Sequence, residues 1–290
     1  MARRMGRSDI QRQGRAERAL RRLLPAVVLL VVGSPERVRA QDNFDIQVYR
    51  SQTVAPKTTL VELLSNITAD GTKDFSETVY PATQLYPTDD ALHETLEIRQ
   101  GLNDWSEVGF YVLTSASSGH GWQWVGDDLR AQVEAPDRWN WPVGAGLAVE
   151  VGYQRPPFAV NTWTMRVRPI FDKRFGRVYL AVNPAFDWSL HGQNSGQGAG
   201  FAPSVKFSYA FNKYVSAGAE YYGNYGSVED IAGFHHQQQQ FFPTMDVKVS
   251  PEWNLNLGVG IGVTTITDDW IWKANLSRRF DWRRRPASTP

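Results

Sequence analysis

The chain has 290 residues, with no cysteine, 12% aromatic and 21% charged residues, and a mean hydropathy of −0.41. This composition excludes disulfide bonds, a thiol nucleophile, a cysteine-ligated zinc site and a bundle of transmembrane helices. Ten of the 31 basic residues fall within residues 1–40, which leaves 21 Lys and Arg against 27 Asp and Glu in the rest. This mildly acidic remainder argues against nucleic-acid binding, which needs a basic surface.

The first forty residues have the pattern of a secretory signal peptide. An arginine-rich stretch precedes an apolar run at residues 23–33, and Val38-Arg39-Ala40 resembles a small-residue cleavage site. The run is too short to span a bilayer, which needs about 20 apolar residues. The order of basic, apolar and small residues predicts export. We therefore expect residues 1–40 to be a signal peptide and residues 41–56 a short periplasmic N-terminal segment.

From residue 57 onward, apolar residues alternate with polar or small ones. Between Val143 and Tyr153, for example, every second residue is apolar. Successive side chains of a strand point to opposite faces, so the pattern predicts strands with one apolar face. We predict twelve strands, with the total uncertain by two, at residues 58–68, 91–100, 105–115, 127–134, 142–154, 161–172, 178–191, 200–211, 215–224, 239–249, 254–264 and 270–280.

The predicted connections are of two kinds. Those after the even-numbered strands are short and rich in turn residues. Those after the odd-numbered strands are mostly longer, at residues 69–90, 116–126, 155–160, 192–199 and 225–238. Short turns at one end and long loops at the other are typical of bacterial outer-membrane barrels. We therefore predict an all-β fold, a closed up-and-down antiparallel transmembrane β-barrel of about 12 strands over residues 57–282, with a basic C-terminal tail at 283–290.

Tryptophan placement supports a membrane barrel over the alternative of a secreted soluble sandwich or barrel. All eleven tryptophans fall near predicted strand ends. Tryptophan prefers the boundary between water and lipid, because its large ring is apolar and its single N–H needs a partner. The pattern indicates a protein of the bacterial outer membrane, in contact with its lipid.

The sequence resembles uncharacterised Gram-negative outer-membrane β-barrels of about 250 residues that are loosely described as transporters. The resemblance lies in the stretches His93–Ile98, Trp105–Tyr111, Trp122–Asp127, Val151–Gln154 and Arg279–Trp282. It implies the fold and the location, and it carries no ligand residues. It also implies a closing aromatic residue, Phe280 or Trp282, that the barrel-assembly machinery recognises.

If the apolar face of each strand meets lipid, the alternate face lines the lumen. The lumen-lining candidates share an ionisable side chain on that face: His93, Glu97, Arg99, Glu107, Arg130, Glu150, Arg166, Arg168, Asp187, Lys206, Glu220, Asp246, Lys248 and Lys273. The whole face would carry ten acids against eight bases. We expect Arg166 and Arg168 to form ion pairs with Glu150 and Asp187 on the neighbouring strands.

Three functions remain open at this point. The charges could line a hydrated path for an unidentified small polar solute, with loop 69–90 as a constriction and with glycines such as Gly144, Gly146 and Gly260 leaving room. They could instead form a plug of ion pairs in a structural or loop-scaffold barrel. A lipid hydrolase using His191 and Ser195 is less favoured, because a His-x-Ser spacing would put both groups on one strand face, whereas Gln193 stands two residues after His191 and Ser195 lies in a glycine-rich loop. We predict no enzymatic activity, no catalytic or metal-binding residues and no cofactor.

Overall fold

The computed structural model describes residues 43–73 and 85–282, so the predicted signal peptide and basic tail lie outside the described residues. Twelve strands of 10–15 residues form one sheet. They are β1 Thr58–Asp70, β2 Ala91–Asn103, β3 Ser106–Ser117, β4 Gly121–Glu134, β5 Gly144–Gln154, β6 Asn161–Phe175, β7 Val178–Gly192, β8 Gly200–Ala210, β9 Val215–Asn224, β10 Gln238–Lys248, β11 Trp253–Gly262 and β12 Trp270–Asp281. The helices in these ranges are single 3₁₀ turns, and none could span a bilayer.

The sheet closes on itself as a barrel. Each strand is antiparallel to its neighbours in sequence, and β1 pairs with β12 from Thr58 opposite Asp281 to Asp70 opposite Trp270. Closure leaves no sheet edge with unpaired N–H and C=O groups, as a barrel in lipid requires. The prediction of a closed up-and-down antiparallel barrel is confirmed. We call the end with the β2–β3 and β6–β7 turns the short-turn end, and the opposite end the long-loop end.

The polarity of the two faces of the wall is the reverse of that in a soluble barrel, because the inner face is polar and the outer face is apolar. In β2, the Glu97 side chain is fully buried inside the barrel, whereas Leu96 and Ile98 are 38% and 39% exposed on its outside. The same alternation continues in β4 and β5, where Arg130 and Glu150 are buried and Leu129 and Val149 are exposed. Charged side chains therefore fill the interior, and apolar side chains form the outer surface.

The connection between β3 and β4 is much shorter than predicted. The sequence indicated a loop over residues 116–126, but β4 begins at Gly121, and Trp122 and Trp124 pair with β3. The register shifts between Leu113 and Thr114, where Val125 is an extra residue and forms a bulge. A bulge interrupts the alternation of faces. The strand therefore shows no continuous period of two, and its first six residues were assigned to a loop.

The largest difference from the prediction concerns residues 43–56, which we call the inner segment. We expected them in the periplasmic lead, but the structure places them inside the barrel. Ile46 is 1% exposed beside β10 and β12, and Tyr49 is 3% exposed beside β5 and β6. Contacts with strands on opposite sides of the wall show that the segment runs through the lumen.

The inner segment runs from the long-loop end to the short-turn end. Asn43 donates a hydrogen bond to Asp268, in the connection between β11 and β12 (2.7 Å). At the other end, Pro56 forms an isolated parallel bridge with Gly101 of β2, immediately before β1 begins. A chain entering β1 from the short-turn end has thus already traversed the barrel interior.

Gly101 provides a test of this packing. A Cβ atom at residue 101 would lie 2.2 Å from the carbonyl oxygens of both Val54 and Ala55. We expect Gly101→Ala to lower the free energy of unfolding in detergent by about 1–3 kcal/mol, the usual range for overpacking. Gly233→Ala is the matched control, since no atom lies within 4 Å of its added Cβ. Equal denaturant midpoints for the two variants would contradict the placement of residues 54 and 55.

Candidate functional site

The inner segment has little β pairing with the wall, so interior side chains satisfy its backbone. The Tyr49 N–H donates to Asn183 Oδ1 (2.7 Å), and Asn183 Nδ2 donates back to the Tyr49 carbonyl (3.0 Å). Gln132 Nε2 donates to the carbonyls of Arg50 and Ser51 (3.1 and 3.0 Å). Buried backbone groups need such partners. The polar side chains on the inner face therefore fix the path of the segment.

Tyr49 is the central side chain of the segment. Its ring lies between two guanidinium groups, 3.8 Å from Arg130 and 4.3 Å from Arg168, in cation–π geometry. Its hydroxyl donates to Asp45 (2.8 Å). The ring of Tyr49 therefore anchors the inner segment to β4 and β6 of the wall.

Apolar contacts reinforce the hydrogen bonds. Three buried apolar clusters in the described part of the barrel each include one side chain of the inner segment. Phe44 packs with Tyr111, Leu113 and Val125, Ile46 packs with Phe242 and Ile271, and Tyr49 packs with Ala148 and Ile170. The apolar side chains of these three clusters are thus buried against the inner segment and not against a second sheet.

The interior glycines make room for this packing. A Cβ at Gly146 would lie 3.1 Å from the Ser51 carbonyl oxygen, and one at Gly144 would lie 2.4 Å from Ser51 Oγ. A Cβ at Gly260 would meet the ring of Phe242, which contacts Ile46. The space that these glycines leave is therefore occupied by the inner segment and by the side chains around it.

Two arginines of β6 are at the centre of one interior ion network. Arg166 Nε lies 2.6 Å from Asp187, and Arg168 Nη1 lies 3.2 Å from Glu150, so both pairings expected from the sequence form. Both arginines also contact Asp45 of the inner segment, at 3.3 Å and 2.7 Å. The sequence could not indicate this partner, because Asp45 lies outside the alternating pattern of the strands.

A second network surrounds Arg99. Its guanidinium contacts Glu62 at 2.9 Å, Glu97 at 2.8 Å and Glu107 at 3.5 Å. Glu97 also lies 3.6 Å from Arg130, which links this network to the first. Three carboxylates around one guanidinium give this part of the wall an excess of negative charge.

A third network lies on the opposite side of the barrel. Lys206 Nζ contacts Glu220 at 2.9 Å and Asp246 at 2.8 Å, and Lys273 Nζ also contacts Glu220. A charge enclosed in protein is tolerated when it is paired and hydrogen-bonded. The three networks together show that most of the ionisable groups of the inner face are organised in pairs and clusters.

The structure places the fourteen lumen-lining candidates as follows. Ten are buried: His93, Glu97, Glu107, Arg130, Glu150, Arg168, Asp187, Lys206, Glu220 and Lys273. Arg99, Arg166 and Asp246 are partly buried in the same networks. Lys248 is exposed at the short-turn end of β10, where the wall no longer encloses it. The functional residues missed by the sequence analysis are those of the inner segment.

A cavity of about 200 Å³ remains beside the inner segment, against strands β5 to β10. Its charged lining comes from Asp45, Arg166, Arg168 and Asp187, and amides of residues such as Asn224 line it as well. Leu85, from the loop at 69–90, also lines the cavity. The cavity therefore has a mixed lining of apolar, polar and charged groups and space for a small solute beside the segment.

The described part of loop 69–90 lies across the long-loop end. The Tyr86 N–H donates to the Pro157 carbonyl (2.8 Å), and the Tyr86 ring stacks on His120 at 3.9 Å. Thr88 Oγ1 donates to the Asp268 carboxylate (2.8 Å), which also accepts the hydrogen bond from Asn43. This loop therefore meets the inner segment at a shared carboxylate.

The residues considered for lipid hydrolysis are arranged differently from a nucleophile and base. His191 Nδ1 lies 2.8 Å from the Thr162 hydroxyl on the exposed part of β6 and β7. The Ser195 N–H donates to the Gly192 carbonyl within a turn. In the described ranges, no group of three or more His, Asp or Glu side chains is placed to hold a metal ion.

The Tyr49 environment gives a direct test of how the segment is held. Because the chain has no cysteine, a Gln47→Cys variant reports the accessibility of the segment to a thiol reagent. We expect the additional substitution Tyr49→Ala to raise the labelling rate of the introduced cysteine at least about tenfold. The reason is that replacing an aromatic residue by Ala in a packed site lowers the stability of that packing by about 3–5 kcal/mol. Tyr49→Phe, which keeps the ring between the arginines, should raise it far less. Equal rates in the two variants would contradict ring packing as the anchor.

The comparisons with known proteins give a fold relationship. No family model and no curated protein matches the sequence. An outer membrane channel from Pseudomonas putida F1 is similar in structure, with a TM-score of 0.55 and 11% identity over 81% of this chain and 100% of that one. The KdgM porin is also similar, with a TM-score of 0.50 and 9% identity over 76% of this chain and 99% of that one. The NanC porin has a TM-score of 0.50 and 8% identity over 76% of this chain and 98% of that one. At these identities, the likeness shows a shared barrel fold.

Proposed function

We propose that this protein is an outer-membrane channel for small polar solutes and that the inner segment closes it in the state described here. The observation that carries the proposal is a wall with a polar inner face whose lumen is filled by a segment outside the strand ladder. The structural neighbours support it, because they are an outer membrane channel and porins of the same architecture. The solute passes when the inner segment leaves the lumen.

The outer surface suits a bilayer. Strands of 10–15 residues are long enough to cross the hydrocarbon core, for which a tilted strand needs about 9–11 residues. Trp105 and Trp282 are 50% and 64% exposed near the short-turn end, and Trp122 and Trp270 are 60% and 46% exposed near the long-loop end. In outer-membrane barrels, two such girdles of aromatic residues flank the apolar band, one at each membrane interface. In this orientation the short-turn end faces the periplasm.

Displacement of the inner segment is compatible with an intact wall. Every strand keeps both neighbours without the segment, because the barrel closes through β1 and β12. A twelve-stranded barrel is wider than the eight-stranded barrels that side chains alone can fill. The wall supplies the channel, and the segment supplies the closure.

Planar-bilayer recording tests the proposal. Deleting residues 43–53 removes the occupant of the lumen and leaves the Pro56–Gly101 bridge and every strand in place. We expect the deletion variant to show discrete openings with a conductance at least about fivefold above that of the full chain. The Gln52→Ala variant changes an exposed side chain of the same segment and should behave as the full chain does. Silence of a correctly inserted deletion variant would contradict the proposal.

The membrane assignment has its own test. Leu96 lies near the middle of β2 on the outer face, and Leu102 lies at the short-turn end of the same strand. We expect Leu96→Arg to lower stability in lipid vesicles by about 2–4 kcal/mol and Leu102→Arg by about 0–1 kcal/mol, following the depth of each position in the bilayer. Urea titration in vesicles measures both. Equal losses would indicate that the outer face does not sit in lipid.

A second candidate function is a structural or loop-scaffold barrel with a permanent plug. The continuous ion network and the contacts between Asn43, Thr88 and Asp268 favour it, since both hold the segment in place. In that case the long loops would be the active surface. The bilayer recording separates the two candidates, because a scaffold barrel has no need of a conducting state.

A further inference from the structure

The interior of the wall carries more acids than bases. Ten carboxylates lie on the inner face: Glu62, Glu97, Glu107, Asp128, Glu134, Glu150, Asp172, Asp187, Glu220 and Asp246. Six cations face them there: Arg99, Arg130, Arg166, Arg168, Lys206 and Lys273. The sequence indicated eight bases, but Lys248 and Arg279 are exposed at the short-turn end. The described inner face thus has a formal charge of −4.

The inner segment stabilises the excess carboxylates of the inner face through its hydrogen-bond donors, because it carries no net charge of its own. Its described residues include one acid, Asp45, and one base, Arg50, whose charges cancel. The Thr53 N–H donates to Glu134, and Ser51 Oγ donates to Asp172 (2.5 Å). Such bonds to a carboxylate are charge-assisted and stronger than neutral ones.

The same pattern continues along the segment. The Val54 N–H donates to Glu107, and Gln47 Nε2 donates to Glu97 (3.0 Å). Glu107, Glu134 and Asp172 lie on β3, β4 and β6 around residues 51–54, toward the short-turn end. When residues 43–53 leave, Glu134 and Asp172 lose these donors and face the lumen, and Glu107, which keeps the Val54 N–H, lies beside them. The negative charge of the wall stays behind, because the segment takes no net charge with it.

We propose that the open barrel selects cations, so that its solutes are small molecules bearing an ammonium or guanidinium group, together with inorganic cations. This inference rests on the proposed channel function. Rings of Asp and Glu in a pore attract cations and repel anions, and the low-dielectric wall focuses their field. Water and the entering cation replace the donors that the inner segment supplies in the closed state.

The reversal potential in a KCl gradient tests the selectivity. In the deletion variant lacking residues 43–53, we expect K⁺ to be at least about threefold more permeant than Cl⁻. Adding Glu107→Gln, Glu134→Gln and Asp172→Asn together should move the permeability ratio toward one. Glu252→Gln, in the exposed turn between β10 and β11, removes one carboxylate outside the lumen and should leave the ratio unchanged.

The outcomes separate this inference from the proposed function. Openings that prefer Cl⁻, or that pass K⁺ and Cl⁻ equally well, contradict the cation selectivity but agree with the proposed channel function. A well-inserted deletion variant without openings overturns the channel and the selectivity with it. If the deletion prevents insertion, the same gradient is applied to the full-length Tyr49→Ala variant, in which the segment is loosened. The same permeability ratios then decide the outcome.

Discussion

The need to partner enclosed charge determines how this barrel is built. A carboxylate or guanidinium taken out of water is tolerated when it is paired and hydrogen-bonded. Arg99, with three carboxylates around it, and Glu220, between two lysines, meet this need within the wall. Glu134 meets it through the inner segment, and Asp172 meets it through the inner segment and Tyr179 of the wall. The segment is therefore part of the electrostatic structure of the interior as well as the occupant of the lumen.

Most of the wall was predictable from the sequence because its two faces have opposite requirements. Lipid selects apolar side chains and the lumen selects polar ones, so a period of two identifies each strand. Predicted and observed bounds agree within three residues for most strands, including 91–100 for β2 and 270–280 for β12. The prediction was wrong at the start of β4, since the bulge at Val125 breaks the period of two by which a strand is recognised in the sequence.

The inner segment was not predictable by the same reasoning. It lies outside the strand ladder, so its side chains follow no period, and its partners are distant in sequence. Tyr49 contacts Asn183, and Asn43 contacts Asp268, at separations of 134 and 225 residues. One available signal was the row of small residues at Gly144 and Gly146, which leave space on an otherwise continuous inner face. The amides that face the lumen, such as those of Gln132, Asn183 and Asn275, were another.

The central claim is that residues 43–56 pass through the lumen with their first residue at the long-loop end. Disulfide formation in membranes tests it most directly, since the chain has no native cysteine. Asn43→Cys paired with Asp268→Cys should cross-link rapidly and give a shifted band on a non-reducing gel. Asn43→Cys paired with Asp137→Cys, in the turn after β4 at the short-turn end, should not cross-link. The opposite result would place the segment outside the barrel and contradict the account.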